Sequence, residues 1–169
     1  FSFAAGGDSR NHRDARQRAN RVVAKLRPLF VCFGGDMISK PTHDHWAAWL
    51  DDWQLTTGKD GRMVPIIAAR GNHEGKEDIH SFFDTPHADD YYAVGFGGDF
   101  LRIYTLNSNI VRGGNQGKWL ADDLVNNDST RWKLAHYHHP FRPHQSGKSE
   151  QDAQYKAWAQ LFFEHGMNL

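Results

Sequence analysis

Three short apolar runs, each closed by glycine, constrain the fold of this chain more than any other feature. The runs are residues 1–5, 29–33 and 64–69, and the glycines that follow them are Gly6-Gly7, Gly34-Gly35 and Gly71. Between the runs, residues 15–26 and 46–53 carry apolar side chains at helical spacing. Strands joined by helices pair in parallel through right-handed crossovers, so the pattern predicts a parallel sheet with helices packed on it.

The second half of the chain predicts antiparallel pairing as well. Residues 91–96 and 100–106 flank Gly97-Gly98-Asp99, which is typical of a hairpin. Helical stripes follow at residues 116–125 and 153–162, with a further strand at 132–137 between them. We therefore predict an α/β fold with a mixed β-sheet core, built of βαβ units plus an antiparallel hairpin and flanked by helices. At 169 residues the chain is expected to form one domain.

Composition excludes several classes of function. Lys plus Arg and Asp plus Glu number 20 each, so net charge gives no signal for binding to nucleic acid or to an anionic membrane. The apolar runs are far shorter than the roughly 18 residues of a membrane span, and no signal segment is visible, which leaves the cellular location unknown. The single cysteine, Cys32, is expected to be buried and inert. The 11 histidines favour a metal or acid–base site.

Polar side chains follow four of the predicted strands directly. They are Asp8, Asp36, Asn72 with His73, and His138. In open α/β sheets, ligands collect at the carboxyl ends of the parallel strands. Carboxylate, amide and imidazole groups suit divalent or trivalent ions such as Mn, Fe, Zn or Mg. One glycine–aspartate pair alone is usually a turn or a helix cap, but donors at four successive strand ends predict a metal site.

These residues lie in ordered blocks that resemble the motifs of calcineurin-like metallophosphoesterases, in particular the purple-acid-phosphatase-like branch. The blocks are Gly7-Asp8, Gly35-Asp36, Gly71-Asn72-His73-Glu74 and His138-His139-Pro140. The resemblance implies that residues 1–169 form a metallophosphoesterase catalytic domain. It further implies two metal ions and a metal-activated hydroxide that hydrolyses phosphomonoesters or phosphodiesters. The identity of the phosphate-ester substrate and the oligomeric state remain open, and the resemblance is compatible with a secreted or periplasmic location.

The resemblance also assigns the metal ligands residue by residue. Asp36 would bridge the two ions, and Asp8 would bind the first of them. Asn72 and His138 would bind the second ion. On this assignment the cofactors are two divalent or trivalent ions.

The catalytic roles fall on residues beside the ligands. His73 would donate a proton to the leaving oxygen, held in place by a carboxylate such as Glu74. Arg10 is a candidate for bidentate contact with a phosphate oxygen, and the alternative is a solvated arginine at a helix start. In the loop after Pro140, His144 is a candidate for substrate contact. Strand alternation predicts that His136 shares a face with His138 and that His139 points away.

Three departures from the family pattern accompany these expectations. Arg10 stands where members often have the histidine of an Asp-x-His motif. Ser39 stands where purple acid phosphatases have a tyrosine, so a coloured tyrosinate–iron site is not expected. The last family block, Gly-His-x-His, is absent, and we expect that the sequence is truncated before it. Loss of those ligands in this member is the alternative.

The departures keep a second class of function open. A non-catalytic metal- or phosphate-binding module on the same scaffold is the alternative to an enzyme. A mononuclear metalloprotease or amidase is a further rival, but no His-Glu-x-x-His helix supports it. Because few donors remain for the first ion, we expect this chain to bind at most one ion well.

Overall fold

A computed structural model describes residues 1–143 and 146–168 of the chain. The first sheet consists of β1 (Ala4–Gly6), β2 (Val31–Phe33) and β3 (Ile66–Ala68), which pair in parallel in that order. Helix α1 (Arg13–Leu26) joins β1 to β2, and α2 (His43–Trp53), with a 3-10 turn at Gln54–Thr56, lies between β2 and β3. The predicted parallel βαβ units are therefore confirmed.

The second sheet is mixed. Strands β4 (Tyr92–Phe96) and β5 (Leu101–Thr105) form the predicted antiparallel hairpin, and β6 (Trp132–His136) pairs in parallel with β5. Helix α3 (Asp78–Phe83) precedes this sheet, α4 (Gly114–Asn126) connects β5 to β6, and α5 (Asp152–Glu164) follows β6. The α/β class with flanking helices is confirmed. The strands of the described residues divide between two sheets, one parallel and one mixed.

The alternation of side chains along the strands arranges the core in layers. In β2, Phe33 packs against α2, whereas the next side chain back, Cys32, lies in an apolar cluster with residues of β3, β4 and β5. In β5, Ile103 joins that same cluster, while Tyr104 packs with residues of α4 and α5. The two sheets therefore share one apolar layer, and a helical layer covers each outer face.

Two further sequence predictions concern the interior and the membrane. Burial raises the pKa of the Cys32 thiol to about 12, which agrees with an inert cysteine. Trp46, Trp49 and Trp158 are buried, as the helical spacing predicts. Within the described part of the chain, no helix has the length and apolar character that crossing a bilayer requires.

Candidate metal centre

The turns after β1, β2 and β3 meet at one edge of the first sheet, because these strands run in the same direction. The backbone N–H of Asp8 donates to the carbonyl oxygen of Gly35 at 2.8 Å, which joins the first turn to the second. A Cβ at Gly35 would collide with the backbone of Gly71, so the second and third turns also lie in direct contact. This packing brings Asp8, Asp36 and Asn72 into one cleft.

The two aspartates occupy an unusual backbone conformation. Asp8 and Asp36 both have a φ of 55°, in the left-handed region that few non-glycine residues adopt. Aspartate tolerates this region better than most residues, because its short polar side chain can bond locally. Such conformations persist only where surrounding contacts hold them, and they cluster at functional sites.

Three donors converge where these turns meet the end of β6. His138 Nδ1 lies 2.8 Å from the carbonyl oxygen of Gly34, which can only accept, so Nδ1 carries a hydrogen and Nε2 is the ring nitrogen left to bind a metal ion. His138 Nε2 lies 3.1 Å from Asn72 Oδ1 and 3.4 Å from Asp36 Oδ1. A cation would stabilise the ring nitrogen and the two oxygens beside it, and the backbone hydrogen bond of the ring is typical of metal-binding histidines.

The position defined by these three donors fits one ion. Among residues 1–143 and 146–168, no three His, Cys, Asp or Glu side chains are grouped to hold a metal. The amide oxygen of Asn72 is therefore what completes a set of three with Asp36 and His138. Three protein ligands plus solvent or substrate is a common composition for a catalytic metal position.

An arginine lies between the donors that were assigned to the other ion. Arg10 Nη1 forms ion pairs with Asp8 Oδ1 and with Asp36 Oδ2. The Arg10 side chain is only 26% exposed, so it is held in the cleft and is not a solvated arginine at the start of α1. With Arg10 in this place, the residues present do not fit a metal ion at the first position.

The backbone around Arg10 is fixed by a buried polar network. Arg16 Nη1 donates to the carbonyl oxygen of Ser9 at 2.8 Å, and Trp49 Nε1 donates to Ser9 Oγ at 2.9 Å. Arg16 in turn donates through Nε and Nη2 to Asp52, at 2.9 and 2.6 Å, and both side chains are buried. The network therefore ties the turn that carries Arg10 to both α1 and α2.

His73 and Glu74 are adjacent in sequence but do not form the expected pair. His73 Nδ1 lies 2.8 Å from the carbonyl oxygen of Ser39, so this carbonyl, and not the Glu74 carboxylate, orients the ring. The opposite ring nitrogen, Nε2, lies 3.9 Å from Asp36 Oδ2 and faces the candidate centre. His73 thus lies beside the candidate centre with Ser39 as its hydrogen-bond partner, and its role as the acid stays a prediction.

Glu74 is buried beneath the turns and holds their backbone. Its carboxylate accepts the backbone N–H groups of Asp36 at 3.1 Å, Met37 at 2.7 Å, Ile38 at 3.4 Å and Gly71 at 2.7 Å. The expectation that Glu74 holds His73 is corrected accordingly. Because these N–H groups lie in the second and third turns, Glu74 acts on the site through the position of Asp36.

The other histidines near β6 differ from the alternation predicted for them. His136 is half-buried, with Nε2 2.7 Å from Thr105 Oγ1, and loss of solvent around the ring lowers its pKa to about 4. His139 lines the cleft, and its Nδ1 lies 2.9 Å from Ser108 Oγ. Strand geometry does not extend to His138 and His139, because β6 ends at His136. The predicted substrate contact His144 lies outside the described residues.

The segment after β5 supports the site and was missed in the sequence. Asn109 Nδ2 donates to the carbonyl oxygens of Arg70 at 2.9 Å and Gly71 at 3.2 Å, which steadies the third turn. Gln116 Oε1 accepts the Asn107 backbone N–H at 2.8 Å, in a fully buried pair. The available signal was the run Asn107-Ser108-Asn109 at the end of an apolar strand.

The four candidate metal ligands line one open cleft of about 730 Å³ together with Arg10 and His73. Further lining residues include Lys148 and Gln151. The cleft therefore combines cationic groups, which suit a phosphate, with a donor set that suits a metal ion.

A layered α/β fold whose strand ends bring carboxylate, amide and imidazole groups into one cleft is compatible with a metal-dependent enzyme. The chain belongs to the calcineurin-like phosphoesterase family, whose sequence model matches residues 7–169. Comparison with curated proteins finds no match.

Solved structures with a similar fold include two phosphatases. The purple acid phosphatase PPD1 from yellow lupin (Lupinus luteus) seeds superposes with a TM-score of 0.69 at 12% identity, over 98% of this chain and 36% of that one. A dimetal phosphatase from Danio rerio, LOC 393393, has the same TM-score and identity and covers 98% of this chain and 78% of its own. This chain therefore spans little more than a third of the length of the plant enzyme, and the likeness concerns the fold.

Proposed function

We propose that this protein hydrolyses phosphomonoesters or phosphodiesters at a metal centre built on Asp36, Asn72 and His138. The observation that carries the proposal is that Asn72 Oδ1 and Asp36 Oδ1 lie 3.1 and 3.4 Å from His138 Nε2. When bound there, a metal ion would polarise a phosphoryl oxygen and lower the pKa of a water molecule. Family membership supports the same chemistry.

His73 is proposed as the proton donor to the leaving oxygen. Its Nδ1 hydrogen is engaged by the Ser39 carbonyl oxygen, so the proton available for transfer is held at Nε2 on the cleft side. Imidazole has an unperturbed pKa near 6.5, which suits proton donation near neutral pH. The backbone N–H of His73 also donates to Asp36 Oδ1 at 3.2 Å, which couples the acid to the proposed metal ligand.

The sequence predicts a centre with two ions, but the residues present favour an ion at only one of the two positions. Three donors favour an ion at the second position, while the carboxylates of Asp8 and Asp36 at the first are bridged by Arg10. We therefore propose that hydrolysis depends on the ion at Asp36, Asn72 and His138. The guanidinium of Arg10 binds the phosphate of the substrate on the opposite side.

Replacement of Asp36 tests this function. Asp36→Asn keeps the size of the side chain and suits the left-handed backbone, since asparagine also adopts that region. We expect bound Mn or Zn, measured by elemental analysis, and hydrolysis of p-nitrophenyl phosphate and bis(p-nitrophenyl) phosphate to be lost together. The exposed Asp44→Asn is the matched control. Because an asparagine amide oxygen can itself bind a metal ion, as proposed for Asn72, Asp36→Ala is measured beside it. Normal metal content in a folded Asp36→Ala protein would exclude Asp36 as a ligand, whereas tight metal binding without hydrolysis in the unaltered protein would favour the non-catalytic module.

A further inference from the structure

Arg10 occupies the space between two carboxylates in a manner that resembles a bound cation. Its Nη1 contacts Asp8 Oδ1 and Asp36 Oδ2, while the other oxygen of Asp36, Oδ1, lies 3.4 Å from His138 Nε2, which also contacts Asn72. One oxygen of the Asp36 carboxylate thus contacts a guanidinium, and the other belongs to the proposed metal-binding set with Asn72 and His138. A bridging carboxylate between two cations has the same division of its oxygens.

We propose that the guanidinium of Arg10 is a built-in substitute for a metal ion at the Asp8–Asp36 position, so that the centre takes a single ion at Asp36, Asn72 and His138. This inference rests on the proposed function and specifies its metal requirement. A guanidinium is positively charged at all accessible pH values and matches carboxylate geometry, so it neutralises the two aspartates permanently. An ion cannot enter the same space, because Nη1 occupies the coordinating directions of both oxygens and repels a second cation.

The position of Arg10 is supported on both sides of its backbone. Ser9 is held by Arg16 and Trp49, and Ser39 Oγ donates to the Arg10 carbonyl oxygen at 3.3 Å. Arg16 and Trp49 are themselves buried, so these contacts do not depend on mobile surface groups. The turn therefore directs the Arg10 side chain into the cleft. A side chain that replaces a metal ion has to stay in one place, and the fixed backbone provides this.

The guanidinium also has hydrogen-bonding capacity left for a ligand. Both ion pairs use Nη1, and among the residues that the structure describes Nε and Nη2 of Arg10 have no hydrogen-bond partner. A phosphoryl group bound to the ion at the three-donor position could accept from these N–H groups, as arginine binds phosphate oxygens in pairs. Arg10 would then supply charge that a second ion would otherwise bring.

Counting the bound ions in the unaltered protein tests the inference without reference to activity. Isothermal titration with Mn or Zn, together with elemental analysis, is expected to give one ion per chain in the unaltered protein. Electron paramagnetic resonance of the Mn-loaded protein is expected to show an isolated Mn(II) ion. Two ions, or a spin-coupled pair, in the unaltered protein would overturn the proposal whatever the variants do.

Variants at Arg10 separate the charge of the side chain from its position. Arg10→Ala vacates the space between Asp8 and Asp36, and Arg10→His adds an imidazole in the Asp-x-His spacing, so both are expected to bind a second ion. Arg10→Lys retains a cation and is expected to keep one ion, and the exposed Arg18→Ala is the matched control with one ion. If the unaltered protein and every variant bind one ion, the role of Arg10 is refuted but the proposed metal dependence is not. No binding in any of them refutes the proposed metal dependence itself, and an ion that binds only after Arg10 is removed also overturns the assignment.

Discussion

The buried carboxylate of Asp52 offers the sharpest test of how the scaffold holds the candidate site. It accepts hydrogen bonds from Arg13, Arg16 and Gln17, at 2.6 to 3.0 Å, and its residue is 1% exposed. Burial by itself would raise the pKa of Asp52, but the hydrogen bonds from Gln17, Arg16 and Arg13 outweigh it and lower the pKa. Asp52→Ala would leave the Arg16 guanidinium buried without its partner. Removal of one partner of a buried ion pair costs about 3 to 5 kcal/mol of unfolding free energy.

The size of this effect can be measured against the neighbouring residue. At roughly 2 to 4 °C per kcal/mol for a protein of this size, the thermal midpoint should fall by roughly 6 to 20 °C in differential scanning calorimetry. Asp51→Ala is the matched control, because Asp51 is exposed and pairs only with Arg13 among the described residues, at 2.8 Å. An exposed pair contributes about 0 to 1 kcal/mol. Equal midpoints for the two variants would refute the argument that burial gives the Asp52–Arg16 pair its weight.

Two further predictions concern the chemistry of the site and the pH dependence of stability. His73→Ala is expected to keep its bound metal but to lose roughly 100- to 10,000-fold in kcat on esters with poor leaving groups, and less on an activated aryl ester; equal losses on both would exclude proton donation. Burial raises the pKa of Asp90 to about 6, against the opposing charge of Arg70. Because this pKa is raised in the folded protein, the contribution of Asp90 to stability is greatest below its unfolded pKa near 3.9. That contribution is lost as the pH rises towards 6. At about pH 7.5 we therefore expect Asp90→Asn to have a higher thermal midpoint than the unaltered protein. The difference between the two midpoints should become smaller at about pH 5. A difference that does not change with pH would contradict the raised pKa of Asp90.

The arrangement of strands and the approximate place of the site could be predicted from local patterns. The spacing of apolar residues indicates strands and helices, because each has its own period. Asp8, Asp36 and Asn72 follow parallel strands, and the ends of such strands meet at one edge whatever the details of packing. The hairpin of β4 and β5 is likewise indicated by the short glycine turn between two β-rich runs.

The division of the strands into two sheets was not evident from the sequence. A strand in either sheet alternates its side chains in the same way, so the period does not say which strands pair. The apolar cluster that contains Cys32 and Ile103 joins the two sheets, and it forms from segments about 70 residues apart. Only the tertiary structure brings such segments together.

The direction of individual polar side chains was also decided by tertiary contacts. Glu74 was expected to hold His73. In the folded protein the second and third turns lie against Glu74, and its buried carboxylate accepts their backbone N–H groups instead. His139 was expected to point away, but the end of β6 releases it from strand geometry. Neither outcome follows from the neighbouring residues in the sequence.

Arg10 shows most clearly what each level of description determined about this protein. The sequence by itself determined that a cationic side chain follows Asp8 where a histidine ligand is common in the family, and therefore that the first ion loses a donor. It left open whether that side chain faces solvent or the cleft. The tertiary structure decided the question, because Arg16 on α1 and Trp49 on α2 hold Ser9 and so direct Arg10 between the carboxylates. A side chain's direction depends on the backbone that carries it, and that backbone is held here by contacts from residues up to 40 positions away.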